Sequence, residues 1–224
     1  MIESFCVFLH IMNREPHMQN SQGKMAEAMH DQPLLDLRQE DDCCPWVALQ
    51  LFSPRQLDIT ARLRDLGLSV FVPMEWTWVE DAQAKPKQVL RPVVRNLLFV
   101  KLTHDIADLR AILAAQPCPL RLVTVTKDDR RPALIPARQM FEFQAMCNPD
   151  ILAKVYLSQS EARLKQGARV VVTHGPLKGM QGRLVRASRR YYLLKELPGI
   201  AVMMKVTRWC CQPVDEPTST RQQP

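Results

Sequence analysis

Glycine is scarce in this 224-residue chain, which holds seven glycines. Four of them fall within the 16 residues from Gly167 to Gly182, with Gly175 and Gly179 between. Glycine adopts positive φ and admits a close backbone neighbour without steric cost, so this cluster predicts either a phosphate-holding loop or tightly turned strands. The flanking sequence decides between the two.

The chain also lacks the cysteine spacing of a metal site or a disulfide framework. Its seven cysteines include no CxxC, and Cys43-Cys44 and Cys210-Cys211 are adjacent pairs whose bridging would be strained. A tetrahedral zinc site needs separated pairs together with histidines. The five histidines are scattered, and none stands in a plausible arrangement with serine, cysteine and an acid. We therefore expect reduced thiols, no metal, no cofactor and no enzymatic activity.

Long apolar runs are missing as well. No segment reaches the roughly 18 apolar residues of a membrane-spanning helix. The N-terminal MIESFCVFLHIMNR has a brief apolar run, but Glu3 stands where a signal peptide carries positive charge, and His10 interrupts the run. These features predict a cytoplasmic protein without a membrane partner.

Acidic residues are almost absent from residues 154–212, which carry twelve lysines and arginines against Glu161 and Glu196. The whole chain has a net charge of +7. This balance favours a polyanion or an acidic protein face as partner. Residues 1–43 are by contrast acidic and lack a sustained period, so we expect a disordered extension there and a disordered tail at residues 213–224.

Between residues 44 and 149 the pattern predicts a compact α+β domain. PWVALQLF is a nearly continuous apolar run, typical of a central strand. Ser53 as N-cap and Pro54 at the first helical position predict a helix directly after it. Further strands and helices are expected at residues 68–80, 89–102, 105–115, 120–125 and 136–146, with a polar loop at 82–88. Their order predicts a sandwich in which helices pack on an antiparallel sheet.

After residue 149 the periodicity weakens, and residues 150–165 are expected to form a linker. Residues 166–212 contain short strand-like segments separated by tight turns, with positive φ expected at Gly179 and Gly182. Short, strongly bent strands predict a small β-barrel as a second domain.

The glycine cluster fits a turn between strands better than a nucleotide-binding loop. A P-loop has the order GxxxxGK followed by serine or threonine and leads into a helix, whereas GPLKGMQG at residues 175–182 is flanked by strand-like residues. The segment resembles the KOW motif, with Gly175, Pro176, Gly179 and Gly182 in place. Ribosomal proteins and transcription elongation factors share this motif.

The upstream domain favours the elongation factors. PWVALQLFSPRQLDITARLRDLGLSVFVPM resembles the start of a NusG N-terminal domain, and RPVVRNLLFVKL and RPALIP resemble a later strand and a proline-flanked segment of that family. The resemblance extends over about residues 45–212 and is closest to specialised paralogues of the UpxY and RfaH type. It implies a NusG-type α/β sandwich with an antiparallel sheet, followed by a small KOW-type β-barrel.

The resemblance implies a non-catalytic, monomeric transcription elongation or antitermination factor. Its first domain would bind the clamp helices of the RNA polymerase largest subunit through an apolar depression, for which Val94, Leu97 and, at the margin, Gln50 are the matching positions. The family's Phe-Pro-x-Tyr becomes Val94-Arg95-Asn96-Leu97, so aliphatic side chains replace two aromatic contacts. Strand alternation alone would also bury Val94 or Leu97 in the core.

Basic residues are the candidates for contacts with the non-template DNA strand. They are Arg55, Arg62, Lys87 and Arg91. Contacts with phosphates position a nucleic acid but do not read its sequence. A solvated helix face explains Arg55 and Arg62 equally well.

By the same resemblance, the second domain would recruit the ribosomal protein NusE or the factor Rho, and the sequence does not choose between them. This domain also holds four arginines beside two tyrosines: Arg183, Arg186, Arg189, Arg190, Tyr191 and Tyr192. The pairing suits RNA stacking or core tyrosines with solvated arginines about equally. The rival interpretation is a ribosome-associated KOW protein that binds structured RNA, which leaves residues 46–146 without a role.

Overall fold

The computed structural model describes residues 43–80, 85–126, 131–151 and 153–214, which belong to one compact unit, Pro33–Pro224. The extension expected at residues 1–43 lies outside the described residues, apart from Cys43. The same holds for the tail expected at residues 213–224 beyond Val214.

The described chain is a mixed α+β structure with antiparallel sheets, which confirms the expected fold class at this level. In chain order the elements are β1 (Trp46–Leu51), α1 (Gln56–Asp65), β2 (Val70–Phe71), β3 (Met74–Glu80), β4 (Pro86–Pro92), β5 (Leu97–Lys101), α2 (Ile106–Ala114), β6 (Leu120–Leu122), β7 (Leu134–Ile135), α3 (Ala137–Met146), β8 (Lys154–Ser158), α4 (Gln159–Leu164), β9 (Ala168–Val172), β10 (Gln181–Ala187), β11 (Arg190–Leu197), β12 (Ile200–Val206), a 3₁₀ turn (Arg208–Cys210) and β13 (Cys211–Pro213).

The first sheet has the strand order β2-β5-β1-β6, with β7 also paired to β1. Successive side chains of a strand point to opposite faces, so Val47 and Leu49 of β1 share one face. Both are fully buried in an apolar cluster that includes Leu63 of α1 and Leu109 of α2. Helices α1 and α2 therefore cover one face of the first sheet.

Helix α1 begins at Gln56, later than the helix expected from Ser53 and Pro54. Arg55 occupies the N-cap position, and its backbone N–H donates to Ser53 Oγ at 3.3 Å. Gln56 is buried, and its Nε2 donates to the carbonyl oxygen of Leu97 at 2.6 Å. The predicted N-cap was wrong because this bond to β5, which no local pattern reveals, fixes the first helical residue.

Strands β3 and β4 form a separate two-stranded hairpin. The single strand expected at residues 89–102 is divided, since β4 ends at Pro92 and β5 begins at Leu97. Proline has no backbone N–H and cannot continue the ladder as a donor, which ends the strand. Strand β4 begins at Pro86, inside the polar loop expected at residues 82–88.

The second sheet has six strands in the order β13-β9-β10-β11-β12-β8. Within the described residues its edge strands β13 and β8 do not pair with each other, so the closure expected of a barrel is not observed. The segment expected as a linker, residues 150–165, contains β8 and α4. Strand β8 pairs with β12, and a capping box between Ser158 and Glu161 begins α4. Pairing with β12 stabilises a strand whose own sequence is only weakly periodic.

The turn between β10 and β11 places two successive non-glycine residues at positive φ, 47° at Ser188 and 62° at Arg189. Ala187 and Arg190 pair across the end of the hairpin. Two central residues at positive φ define a type I′ turn, which favours Asn-Gly. Most other side chains crowd the backbone in this region. This turn is therefore locally strained.

Relaxing the turn is expected to stabilise the chain. Ser188→Asn combined with Arg189→Gly supplies the residues that a type I′ turn favours, and the free energy of unfolding should rise by about 1 kcal/mol. Urea titration of the full chain measures the change. The matched control is Arg186→Gly, which puts glycine into regular strand β10 and should cost about 0.5–1 kcal/mol. A lower free energy in the turn variant would contradict the assigned turn geometry.

Candidate functional site

The second face of the first sheet gathers the three residues expected to bind a partner. Gln50 on β1 lies opposite Leu97 on β5, and Ala48 lies opposite Phe99 on the same face. Val94, in the turn before β5, packs against the same apolar cluster. The fold thus brings Val94, Leu97 and Gln50 to a single apolar face.

Aromatic rings and α3 cover part of this face. The ring centroid of Phe99 lies 6.4 Å from that of Phe71 and 5.8 Å from that of Phe143 on α3. Phe71 and Phe143 meet edge to face at 6.5 Å. Such tilted pairs are favoured over stacked ones, and here they fix the position of α3 on the sheet.

The second sheet covers the remaining part, so the open depression expected from the resemblance is closed in this structure. Leu97 is only 4% exposed. Gly199, in the turn between β11 and β12, has a φ of 90°, and a Cβ built there would lie 2.9 Å from Leu97 Cδ1. We call residues 153–214 the second half of the chain and the described residues before them the first half. The second half contributes ten buried residues to the apolar cluster that also contains Leu97 and Phe99: Val170, Val172, Leu177, Met180, Leu193, Leu197, Ile200, Val202, Met204 and Cys210.

We call the contact surface between the two halves, where α3 meets β11, the seam. A buried ion pair crosses it. The Glu142 carboxylate is 1% exposed and accepts a hydrogen bond from Lys195 Nζ. It also accepts from Arg138 Nε at 3.2 Å and from the backbone N–H of Gln181 at 3.3 Å. One acid of the first half therefore holds two groups of the second half.

The ion pair restricts which surfaces can meet at the seam, but it adds little to the free energy that holds the two halves together. Burial lowers the pKa of Lys195, and the nearby Glu142 carboxylate opposes that shift only in part. The free-energy cost of removing the two charges from water thus offsets much of their mutual attraction. A single buried charge without its partner would cost far more. Gln139 Nε2 adds a hydrogen bond to the Glu196 carbonyl oxygen at 3.0 Å.

The four residues expected to contact nucleic acid lie on two separate elements, and all four are exposed. Arg55 is the N-cap of α1, and Arg62 lies in its last turn. Lys87 and Arg91 share one face of β4, where Arg91 lies opposite Glu75. The acid reduces the positive charge of that hairpin face.

The KOW-like residues form the connection from β9 into β10. Gly175 and Gly179 both have a φ of 85°, with Pro176 between them. Gly182 does not have positive φ, contrary to the expectation, because it lies within β10. A Cβ at Gly182 would lie 2.7 Å from the carbonyl oxygen of Leu194. Glycine is needed there for the close approach of β11.

The pair of Glu142 and Lys195 and the exposed ring of Trp209 were not expected from the sequence. Glu142 stands in the apolar segment of α3, and Lys195 stands within the mostly apolar strand β11. The available signal was Glu142 between two phenylalanines, since a charge among buried apolar side chains is usually paired. Trp209 ends the last predicted strand segment, IAVMMKVTRW, and nothing in that pattern indicated that its ring would be exposed.

No known family model matches the chain, and no curated protein matches it significantly. In the part of the chain that the structure describes, no helix is long and apolar enough to cross a membrane. No group of three or more histidine, cysteine, aspartate or glutamate residues in the same part could hold a metal ion.

Removing one charge of the seam is expected to cost much more than removing both. Glu142→Ala leaves Lys195 buried without its partner and should lower the free energy of unfolding by about 3 kcal/mol. Glu142→Leu combined with Lys195→Met should change it by less than about 1 kcal/mol or raise it. Denaturant titration of the full chains gives both values. Equal losses in the two variants would show that the charges are not coupled across the seam.

Proposed function

We propose that this protein is a non-catalytic transcription elongation or antitermination factor of the NusG type, which docks on the clamp helices of the RNA polymerase largest subunit. The observation that carries the proposal is the apolar face with Leu97, Gln50 and Val94, which a separate sheet of the same chain covers at Leu97. An amphipathic helix of a partner binds to such a face by laying its own apolar side chains on it.

Docking requires the second sheet to move off this face. The second sheet and the clamp helices compete for Leu97, so polymerase binds the open form alone and draws the population toward it. The measured affinity is then reduced by the fraction of molecules that are open. The ion pair adds little to the cost of separating the halves, because the hydration that both charges regain offsets much of their lost attraction.

Once open, the two halves would act on different partners. The first half would bridge the polymerase clamp, with Arg55 and Arg62 facing the non-template strand, and would disfavour pausing or termination. The second half, released but still tethered, would present its KOW-type surface to NusE or Rho at high local concentration. We place this activity in the cytoplasm and in a monomer.

The rival function is a ribosome-associated protein that binds structured RNA. It draws support from the second half, which holds only two acids in residues 154–212. It provides no role for the covered apolar face, and we therefore rank it second.

Opening the seam is expected to strengthen polymerase binding. Lys195→Glu sets a second carboxylate against Glu142 and favours separation, while its side chain becomes solvated once the halves part. We expect an affinity for RNA polymerase at least about tenfold above wild type, because juxtaposed like charges cost several kcal/mol. Retention of the full chain on polymerase with and without the clamp helices is the measurement.

The docking face is tested in the opened chain. Adding Leu97→Asp to Lys195→Glu should abolish the gain, since burying a leucine contributes about 1.5–3 kcal/mol. Leu66→Asp is the matched control, because this leucine is 56% exposed at the end of α1 on the other side of the sheet. Retention that does not need the clamp helices, or no retention of any variant, would overturn the proposal and favour the rival.

A further inference from the structure

A second surface, far along β11 from the seam, combines exposed aromatic rings with positive charge. Strand β11 enters the seam at Lys195, but at its other end Tyr191 is half-buried and faces a groove. Trp209 of the 3₁₀ turn is 74% exposed, and its ring lies 5.7 Å from that of His174. We call this surface the aromatic groove; it is lined by Arg190, Tyr191, Lys205, Val206, Thr207, Arg208 and Trp209.

Two arginines flank the ring of Tyr191. The guanidinium carbon of Arg186 lies 5.8 Å from the ring centroid, and that of Arg208 lies 6.0 Å from it. Both distances lie at the outer limit of cation–π attraction, and both arginines are exposed to solvent. Arg190 and Lys205 are exposed at the same groove. Two cations thus lie against the ring of Tyr191, and two more line the same groove.

The charge of this groove is not neutralised by the described acids of the same half. Glu161 is engaged in the capping box with Ser158. Glu196 pairs with Arg183 at 2.7 Å and with Arg163 at 3.6 Å. Within residues 153–214 these are the two described acids. Both described acids of this half are therefore already engaged away from the groove.

The two adjacent tyrosines of β11 differ in exposure, and Tyr191 is the one that reaches the groove. Tyr192 is 4% exposed and belongs to the core, so the two tyrosines that the sequence could not separate have different roles. The strained turn before β11 holds Arg189 at positive φ, next to Arg190 of the groove. Strain of this kind persists where the surroundings impose it, and it is concentrated at functional sites.

We propose that the aromatic groove binds single-stranded nucleic acid, with unpaired bases stacked on Trp209 and Tyr191 and phosphates held by Arg186, Arg190, Lys205 and Arg208. Aromatic platforms set within positive charge are the general means of binding single strands, because every base has a face that can stack. A duplex keeps its bases stacked on each other and cannot use the rings in this way. The inference does not rest on the proposed function, since the groove is exposed while the apolar face is covered.

Binding of short labelled strands to the full chain tests the proposal. Fluorescence anisotropy is measured with a 12-nucleotide oligouridylate, the matching oligothymidylate and a duplex RNA of equal length. We expect both single strands to bind more tightly than the duplex. The ratio between RNA and DNA affinity identifies which strand the groove favours. Equal or tighter binding of the duplex would overturn the proposal, and so would absence of binding.

The stacking residue has a matched control in the same chain. Trp209→Ala is expected to weaken single-strand binding by about tenfold or more, because stacking on one aromatic ring accounts for about 1–3 kcal/mol. Trp78→Ala removes another exposed tryptophan, which is 63% exposed on β3, and should change the affinity less than about twofold. Equal losses in the two variants would overturn the assignment.

The cations are tested through salt dependence. Arg186→Ala combined with Arg208→Ala should lower the slope of log affinity against log salt by about 1.4, since each phosphate contact on a single strand contributes about 0.7. Arg121→Ala, an exposed arginine on β6, is the control and should leave the slope unchanged. An unchanged slope in the double variant would overturn the proposal. So would displacement of the bound oligonucleotide by polyglutamate added at the same concentration of negative charge.

Discussion

The first sheet is apolar on both faces, and this constraint determines how the rest of the chain is arranged. Leu98 and Val100 point toward α1 and α2, whereas Leu97 and Phe99 point to the other side. Helix α3 covers only part of that second side. Leaving the remainder in water would forgo about 25 cal/mol for each Å² of apolar surface. The second sheet provides the missing cover, so its position follows from the alternation within β5.

Apolar contact and charge have different effects at the seam. The apolar residues supply the adhesion, and the pair of Glu142 and Lys195 restricts which surfaces can meet, because an unpaired charge there is costly. The same second sheet carries the aromatic groove at the opposite end of β11. One half of the chain can therefore occupy the apolar face and still expose its basic surface.

The local sequence pattern was sufficient to predict the strongly apolar elements. It failed for elements whose bounds depend on contacts with distant parts of the chain. The run PWVALQLF predicted β1, and the segment before Cys147 predicted α3, since each buries a regular set of side chains. The start of α1 depends on a bond from Gln56 to β5, and β8 depends on pairing with β12. Gln50, Val94 and Leu97 lie on one face of the first sheet, but no pattern indicated that the second sheet would cover Leu97.

Amide hydrogen exchange at Gln181 tests the central claim, that partner binding and the second sheet compete for the apolar face. The backbone N–H of Gln181 donates across the seam to Glu142, so its exchange rate reports on the closed form. Exchange is measured in the full chain alone and in the presence of saturating RNA polymerase. The account predicts slow exchange in the free chain and faster exchange in the complex. A complex that forms while Gln181 remains as protected as before would contradict it.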